Sequence, residues 1–186
     1  MKVRNLLLAI IVGSIVASFA GAQEILTGDE KDACEAILCL SSGKRPDQCT
    51  PPIRRYFSIK HRKIEDTLRA RKDFLDLCPK GADPQMNVLV QAIVDGAGAC
   101  DAAALNVSLR RYSSDRYSTK SYILNKMPNY CVVYYTHPYT NLAATLPIYA
   151  GDRWVAPADY AAAMENYTAR MAAEKAREYA ASRGFR

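Results

Sequence analysis

The sequence predicts a mainly α-helical fold: a disulfide-braced helical domain with a small β-hairpin and a long C-terminal helix. Three observations support this prediction. Apolar residues recur at helical spacing over much of the chain that follows an apolar leader. All six cysteines lie behind that leader, and their number is even. The last thirty residues are rich in alanine and end near a glycine, which is typical of a helix and its stop.

The N-terminus has the three-part layout of a secretory signal peptide. A short basic start is followed by an apolar run over residues 6–19 and by small residues that place the cleavage after Ala22. The run is short for a bilayer span, and no basic stop-transfer cluster follows it, so an uncleaved anchor fits less well. We therefore divide the chain into a signal peptide (1–22), a helical domain (23–155) and a C-terminal helix (156–186).

The charge of the mature chain is only mildly basic. Removing the leader takes away Lys2 and Arg4 and no acidic residue, so the formal net charge falls from +6 to +4. Nucleic-acid binders usually concentrate positive charge on one face, and no dense basic run is present. We expect an exported protein with no direct contact to nucleic acid and no stable membrane span after cleavage.

The first predicted helix begins at Thr27 and runs to about Leu40. Thr27 and Glu30 have the spacing of a capping box, in which each side chain satisfies a backbone N–H of the first turn. Ser41-Ser42-Gly43 ends the helix, and residues 44–50 form a loop. The apolar face consists of Ala33, Ala36, Ile37 and Leu40.

Two more helices are predicted before Cys78. A short one starts at Thr50-Pro51, which resembles an N-cap followed by a first-turn proline, and a longer one runs from about Lys60 to Leu77. The residues expected to point inward are Ile53, Tyr56 and Phe57 in the short helix and Ile64, Leu68, Phe74 and Leu75 in the longer one.

Asp83-Pro84 predicts the start of a further helix that Gly96 and Gly98 end. Its apolar stripe is Met86, Leu89, Val90, Ile93 and Val94. Residues 101–112 predict another helix, whose aligned apolar residues are Leu105, Leu109 and Tyr112.

From Tyr112 to Tyr149 the chain is rich in tyrosine and proline. The segment CVVYYTH (131–137) predicts a strand from its β-branched and aromatic residues. The segment IYAGDRWV (148–155) predicts a tight hairpin that turns at Gly151-Asp152. An alanine-rich helix then runs from Pro157 to about Ser182. Its narrow apolar stripe is Tyr160, Met164, Tyr167 and Met171.

The six cysteines are expected to form three disulfides, because an exported chain folds in an oxidising compartment. Cys34 and Cys39 point about 140° apart on the first helix, so they can neither bind one metal ion nor bond each other. No C-x-x-C pair occurs, which argues against zinc and redox motifs. The pairing favoured by the predicted helix packing, one of fifteen, is Cys34–Cys78, Cys39–Cys49 and Cys100–Cys131.

The sequence has no recognised active-site motif. His61 lies at a helix start and His137 precedes a proline, with no serine-nucleophile, P-loop, zinc-protease or EF-hand motif beside them. Glu35 is the one carboxylate that invites a role as the acid of a lytic transglycosylase, but a solvated helix flank is the simpler interpretation. We expect no enzyme, no cofactor and no metal site.

Two segments are candidate partner contacts. One combines two arginines with two aromatic residues, and the other is the apolar stripe of the C-terminal helix, which suits docking in a groove. Packing within the domain is the plain alternative for both. The residues concerned are Arg54, Arg55, Tyr56, Phe57, Tyr160, Met164, Tyr167 and Met171.

Residues 26–79 resemble the TrbM/KikA/MpfK family of exported accessory proteins encoded with plasmid conjugation and type IV secretion systems. The resemblance rests on CEAILCLSSG at residues 34–43, then Cys49, then RRYF at residues 54–57. The later segments NYCVVYYTH and IYAGDRWV resemble the family more loosely. The resemblance implies an envelope protein of conjugal transfer or mating-pair formation, with other envelope proteins of the apparatus as partners and no catalytic residue.

Our primary hypothesis is therefore a non-enzymatic periplasmic component of a conjugative type IV secretion apparatus. The alternative from another class is a peptidoglycan-cleaving enzyme that helps the apparatus through the cell wall. A third hypothesis is a soluble inhibitor or chaperone of another exported protein.

Overall fold

The computed structural model describes residues 26–81, 83–116 and 118–184. The predicted signal peptide and its cleavage site lie outside these residues. The described part contains seven α-helices and two short hairpins, which confirms the mainly helical class and the long C-terminal helix. In chain order they are α1 (Gly28–Leu40), α2 (Thr50–Ser58), α3 (Ile64–Leu75), α4 (Pro84–Gly96), α5 (Ala102–Ser108), β1 (Arg110–Ser114), β2 (Thr119–Ile123), α6 (Asn129–Thr136), β3 (Ile148–Tyr149), β4 (Trp154–Val155) and α7 (Tyr160–Gly184).

Helix α1 supplies the apolar face that its spacing predicts, since Ala33, Ala36, Ile37 and Leu40 are all buried. Thr27 occupies the N-cap position in extended conformation, but its side chain makes no capping hydrogen bond. The predicted start of the helix is therefore right and the predicted capping box is wrong.

Helices α2 and α3 differ from the prediction at their starts. Thr50 is already helical, and Cys49 at the end of a 3₁₀ turn occupies the N-cap position. Helix α3 begins at Ile64 rather than near residue 60, because the backbone N–H of His61 donates to Thr67 Oγ1 (2.9 Å) and holds the preceding residues in a turn. Ile64, expected inward, is consequently 63% exposed.

Helix α4 has the predicted bounds. The Asp83 side chain accepts a hydrogen bond from the Gln85 N–H, and the helix ends at Gly96. Helix α5 is shorter than predicted, because β1 starts at Arg110 and pairs antiparallel with β2. Tyr112, predicted on the apolar face of a helix, lies instead in β1 and is 69% exposed. This first hairpin was not predicted.

The segment CVVYYTH is helical, so the predicted strand is wrong. The N–H groups of Cys131 and Val132 donate to the Pro128 carbonyl and start α6. Cys131, Tyr134 and Tyr135 are buried at helical spacing, and α6 packs against α4. Burial of this face outweighs the β-propensity of the segment, which is a weak preference compared with tertiary packing.

The last third of the chain matches the prediction more closely. Strands β3 and β4 form the expected hairpin, with Gly151 in the left-handed conformation (φ 78°) at its turn. A 3₁₀ turn at Pro157–Asp159 leads into α7, which extends to Gly184. No residue of α7 is buried in the described structure.

The core lies between the helices of the first two thirds of the chain. Helix α1 packs on α2, α3 and α4, and α4 packs on α6. Tyr56 is fully buried between them, its hydroxyl donates to the Ile93 carbonyl (3.5 Å), and burial raises its pKa. Among the residues described, no helix combines the length and apolar composition that crossing a bilayer requires.

Three disulfides tie this core together. Cys34–Cys78 joins α1 to the end of α3, Cys39–Cys49 joins α1 to the start of α2, and Cys100–Cys131 joins the segment after α4 to α6. All six cysteines are paired, and the pairing is the one expected from the sequence.

Candidate partner-binding site

Two cavities of about 470 and 290 Å³ adjoin each other and share Arg45 and Phe57 as lining residues. We call them together the Arg45 cleft. Its walls come from the loop after α1, from α2, from the end of α4 and from α6. The side chains that give it its chemistry are Arg45, Arg54, Phe57, Asp101, Tyr134 and Tyr135.

The loop that carries Arg45 is fixed at both ends. The Cys39–Cys49 disulfide closes it, with Arg45 between the two cysteines. Asn141 holds the end of the loop that follows α1. Its side-chain Oδ1 accepts from the Gly43 N–H (2.6 Å), and its backbone N–H donates to the Ser41 carbonyl (3.2 Å). The backbone that presents the Arg45 side chain is therefore braced by a covalent bond and by hydrogen bonds to a distant segment.

Phe57 forms the wall common to both cavities. Its ring meets Tyr56 edge to face (5.1 Å), and the Arg71 guanidinium carbon lies 5.1 Å from its centroid. Gly98 lies against the same ring in the left-handed conformation (φ 77°), where an added Cβ would come within 3.1 Å of the phenyl carbons. A glycine at this position lets the end of α4 approach Phe57 closely.

Tyr134 and Tyr135 form the opposite wall of the larger cavity, although both side chains are mostly buried. The Tyr134 hydroxyl donates to the carbonyl of Leu40, the last residue of α1 (2.8 Å). Burial raises the pKa of Tyr134, and the Arg45 guanidinium beside its hydroxyl opposes that rise. Burial is the main cause that raises the pKa of Tyr135 to about 12, and the nearby Tyr134 and Asp101 add to the rise through electrostatic repulsion. Both phenols are therefore protonated hydrogen-bond donors at neutral pH.

The cleft is rich in uncompensated positive charge. Arg45 and Arg54 are exposed, and neither lies in an ion pair with any of the described carboxylates. The Asp101 carboxylate, on the larger cavity, accepts a hydrogen bond from the Ala104 N–H (2.8 Å) as the cap of α5. The lining thus offers two cations, protonated phenols and one acidic acceptor.

The structure separates the four contact residues predicted in and around α2. Arg54 and Phe57 line the cleft. Arg55 lies elsewhere, 3.4 Å from Asp29 and 5.2 Å from the ring centroid of Phe74. Tyr56 is fully buried, so its predicted role as a contact residue is wrong. Its helical position one turn from Pro52, also buried, places it in the core.

The predicted stripe on α7 is partly covered by its own domain. Tyr167 packs on the backbone of Gly151, and Arg170 donates to Asp152 in the same turn (2.5 Å). Met164 is half-buried, whereas Tyr160 and Met171 are 37% and 40% exposed. Tyr167 and Met171 also line a third cavity, about 570 Å³, between α7 and the two hairpins.

The residues considered for catalysis do not meet in a site. Glu35 pairs with Lys31 (3.4 Å) one turn away on α1. His61 is exposed, and His137 is buried with its Nδ1 accepting from the Tyr139 N–H (3.2 Å). Across the described ranges, no group of three histidine, cysteine or acidic residues is placed to hold a metal ion. The side chains of the Arg45 cleft suit binding, because its one carboxylate already caps a helix.

Sequence reasoning missed Arg45, Asp101, Tyr134 and Tyr135. The two tyrosines were missed because their segment was interpreted as a strand. Arg45 had a usable signal, since it lies in a ten-residue interval between two cysteines predicted to bond, and such a bridge fixes what the loop presents.

A protein-family model described as TrbM matches residues 25–168. The match includes every residue that lines the Arg45 cleft, together with the first third of α7. No curated protein and no solved structure matches the chain.

Proposed function

Because this chain belongs to the TrbM family, and is thus a conjugal transfer protein, we propose that it is a non-enzymatic periplasmic component of mating-pair formation. Its partners are other envelope proteins of the plasmid type IV secretion apparatus, and its contribution is binding rather than chemistry. The observation that carries the proposal is the family match over 25–168. The open, cationic and aromatic Arg45 cleft lies within that matched range and gives the proposed binding a place.

The proposed compartment is supported by the sulfur chemistry. All six cysteines pair with good disulfide geometry at Cα–Cα distances of 4.9–5.5 Å. Three structural disulfides are expected in an oxidising compartment and are rare in the bacterial cytosol. Together with the signal peptide predicted at residues 1–22, this supports the proposal of an exported protein.

A transfer assay with and without the leader tests the proposal. A donor strain that lacks this gene is complemented with the full chain or with a chain that starts at Gln23 after an initiator methionine. We expect the full chain to restore transfer and the leaderless chain to fail, although both are produced. Restored transfer by the leaderless chain, in which export is blocked, would contradict a periplasmic role.

The non-enzymatic part of the proposal has its own test. Glu35→Gln removes the carboxylic acid that a lytic transglycosylase would need. We expect transfer to stay at the level of the parent, and the purified parent to release no fragments from peptidoglycan. Measurable muramidase activity that Glu35→Gln abolishes would establish the enzyme instead.

Helix α7 is the second proposed contact element. Its exposed stripe residues Tyr160 and Met171 flank the part that packs on Gly151. Deleting residues 157–186 should lower transfer and co-purification with envelope partners, while the disulfide-linked part stays folded. Unchanged transfer and unchanged co-purification would rule out α7 as a contact.

A further inference from the structure

We propose that the Arg45 cleft binds an extended, acidic segment of a partner protein. Carboxylates of that segment lie against Arg45 and Arg54, and its apolar or aromatic side chains lie against Phe57 and Tyr135. The inference rests on the proposed function in one respect, because it assumes that the partner belongs to the transfer apparatus. The chemistry of the segment itself is argued from the cleft.

The first argument is charge. Four described arginines lie within 4 Å of a carboxylate, which are Arg55, Arg69, Arg153 and Arg170. Other exposed arginines are unpaired, but Arg45 and Arg54 are both unpaired and line the same cavity. A guanidinium presents a planar fork of donors that matches a carboxylate with two parallel hydrogen bonds. Two such groups on the rim of one cleft favour an occupant with more than one carboxylate.

The second argument is shape. The cleft is divided into two cavities that share Phe57, and the larger is within the range of known ligand sites. A divided cleft suits an extended chain, whose successive side chains can enter separate cavities, better than one compact molecule. The braced Arg45 loop lowers the entropy cost of binding, because its backbone is already ordered.

The third argument separates a polypeptide from a phosphate-bearing partner. Asp101 contributes an acceptor to the larger cavity, and Tyr135 contributes a protonated phenol. A polypeptide has N–H donors for the first and carbonyl acceptors for the second. A phosphodiester backbone or a lipid phosphate brings oxygen acceptors but no N–H donor for Asp101, whereas a polypeptide carries such donors along its length. The observations therefore favour an acidic peptide segment.

Site-specific photocrosslinking in mating cells tests this inference. A photoreactive amino acid replaces Thr145, which is exposed on the larger cavity, or Thr50, which is exposed on the smaller one. The control position is Ser113, which is exposed in β1 and does not line the cleft. We expect adducts from both cleft positions, and mass spectrometry should map them to a segment of another protein whose local net charge is negative.

Charge reversal supplies the decisive comparison. Arg45→Glu with Arg54→Glu should reduce the adducts at least ten-fold, while Arg62→Glu, at an exposed arginine between α2 and α3, should leave them unchanged. Circular dichroism melting of the purified variants establishes that the double variant is folded. Exchanging the acidic residues of the mapped segment for arginine should restore the adducts to the double variant.

Other outcomes overturn the inference. The first is that cells that transfer normally give no adduct at Thr50 or Thr145. The second is that the adducts map to a neutral or basic segment, or to lipid, glycan or nucleic acid. The third is that the adducts survive charge reversal. A different result would contradict the proposed function while leaving this inference intact. If transfer does not need the chain but an acidic segment still crosslinks, the cleft assignment stands and the role in conjugation does not.

Discussion

The cross-linked segment from Cys34 to Cys131 and the segment from Ile148 to Gly184 are held in different ways. The first contains all three disulfides and most of the buried apolar residues. The second has no cysteine and is attached through Trp154, whose indole donates to the Leu124 carbonyl (3.0 Å), and through Tyr149, whose hydroxyl donates to the Ile123 carbonyl (2.9 Å). The global stability of the fold therefore resides in the first segment, and α7 is presented by it.

This difference has a consequence for function. Helix α7 has no buried residue and therefore contributes little to the folding of the core. Core packing does not constrain its length or its composition, so both can suit contacts with other proteins. The Arg45 cleft, in contrast, is built from the cross-linked segment together with Leu142 and Thr145. Changes in the first segment should alter stability and binding together, and changes in α7 should alter contacts alone.

The largest expected effect is the loss of the longest disulfide loop. In the chain-entropy model, Cys34→Ser with Cys78→Ser costs about 4 kcal/mol of unfolding free energy. The shorter Cys39–Cys49 loop costs about 3 kcal/mol by the same model when both cysteines become serine. Urea unfolding under oxidising conditions measures both. Equal losses from the two double variants would contradict the entropic account.

The next effect concerns the approach of α4 to α6. In Gly96→Ala the new Cβ would lie 2.7 Å from Tyr134 Cβ, so one helix has to move. Overpacking of this kind costs about 1–3 kcal/mol. Gly43→Ala is the matched control, because its Cβ would meet atoms at ordinary distances of 3.6 Å or more. A melting temperature that falls equally in both variants would argue against a close α4–α6 contact.

A local effect is expected at the turn of the second hairpin. Gly151→Ala forces an L-residue into the left-handed conformation and places its Cβ 2.4 Å from the Tyr167 ring. We expect α7 amides to exchange faster with deuterium while the amides of α1 and α4 keep their protection. Loss of protection in α1 or α4 would show that the two segments fold as one unit.

The smallest effect is the response of the α7 attachment to acid. Burial opposes ionisation of Asp152, but hydrogen bonds and charge from Arg170 and Arg153 outweigh it and lower its pKa. The contribution of Asp152 is therefore complete above its unfolded pKa and is lost as the pH falls through the folded value. Surface pairs of this kind contribute roughly 1 kcal/mol or less.

Trp154, the single tryptophan, reports this loss because it lies in the same hairpin as Asp152. We expect its fluorescence to shift below about pH 4, because the lowered pKa makes Asp152 protonate only after an ordinary aspartate is about half protonated. In Asp152→Asn the shift should be absent, and the spectrum at neutral pH should already resemble the acid form. A shift of the same size in that variant would assign it to another group.

The sequence predicted the helices whose apolar residues recur at regular helical spacing. It failed for segments whose secondary structure is determined by tertiary contacts. The stripe from Leu89 to Val94 identified α4, and Gly151 identified the second hairpin. The helix α6 could not be predicted, because its valines and tyrosines favour strands and only burial against α4 makes it helical. The hairpin of β1 and β2 lacked a pattern, since its strand residues are almost all exposed.

The candidate site was predictable only in part. The RRYF segment contained two residues that line the cleft, Arg54 and Phe57. The sequence offered Tyr56 both as an inward residue and as a contact residue, and its burial agrees with the first prediction only. The opposite wall of the cleft comes from residues about 80 positions further along the chain. Such a wall depends on how α4 and α6 pack, which no local pattern in the sequence specifies.

The most direct test of the account is non-reducing peptide mapping of the protein isolated from cell envelopes. We predict an N-terminus at Gln23 and three linked peptide pairs, which join Cys34 to Cys78, Cys39 to Cys49 and Cys100 to Cys131. A chain that retains residues 1–22, or that yields six thiols open to alkylation, would contradict the account.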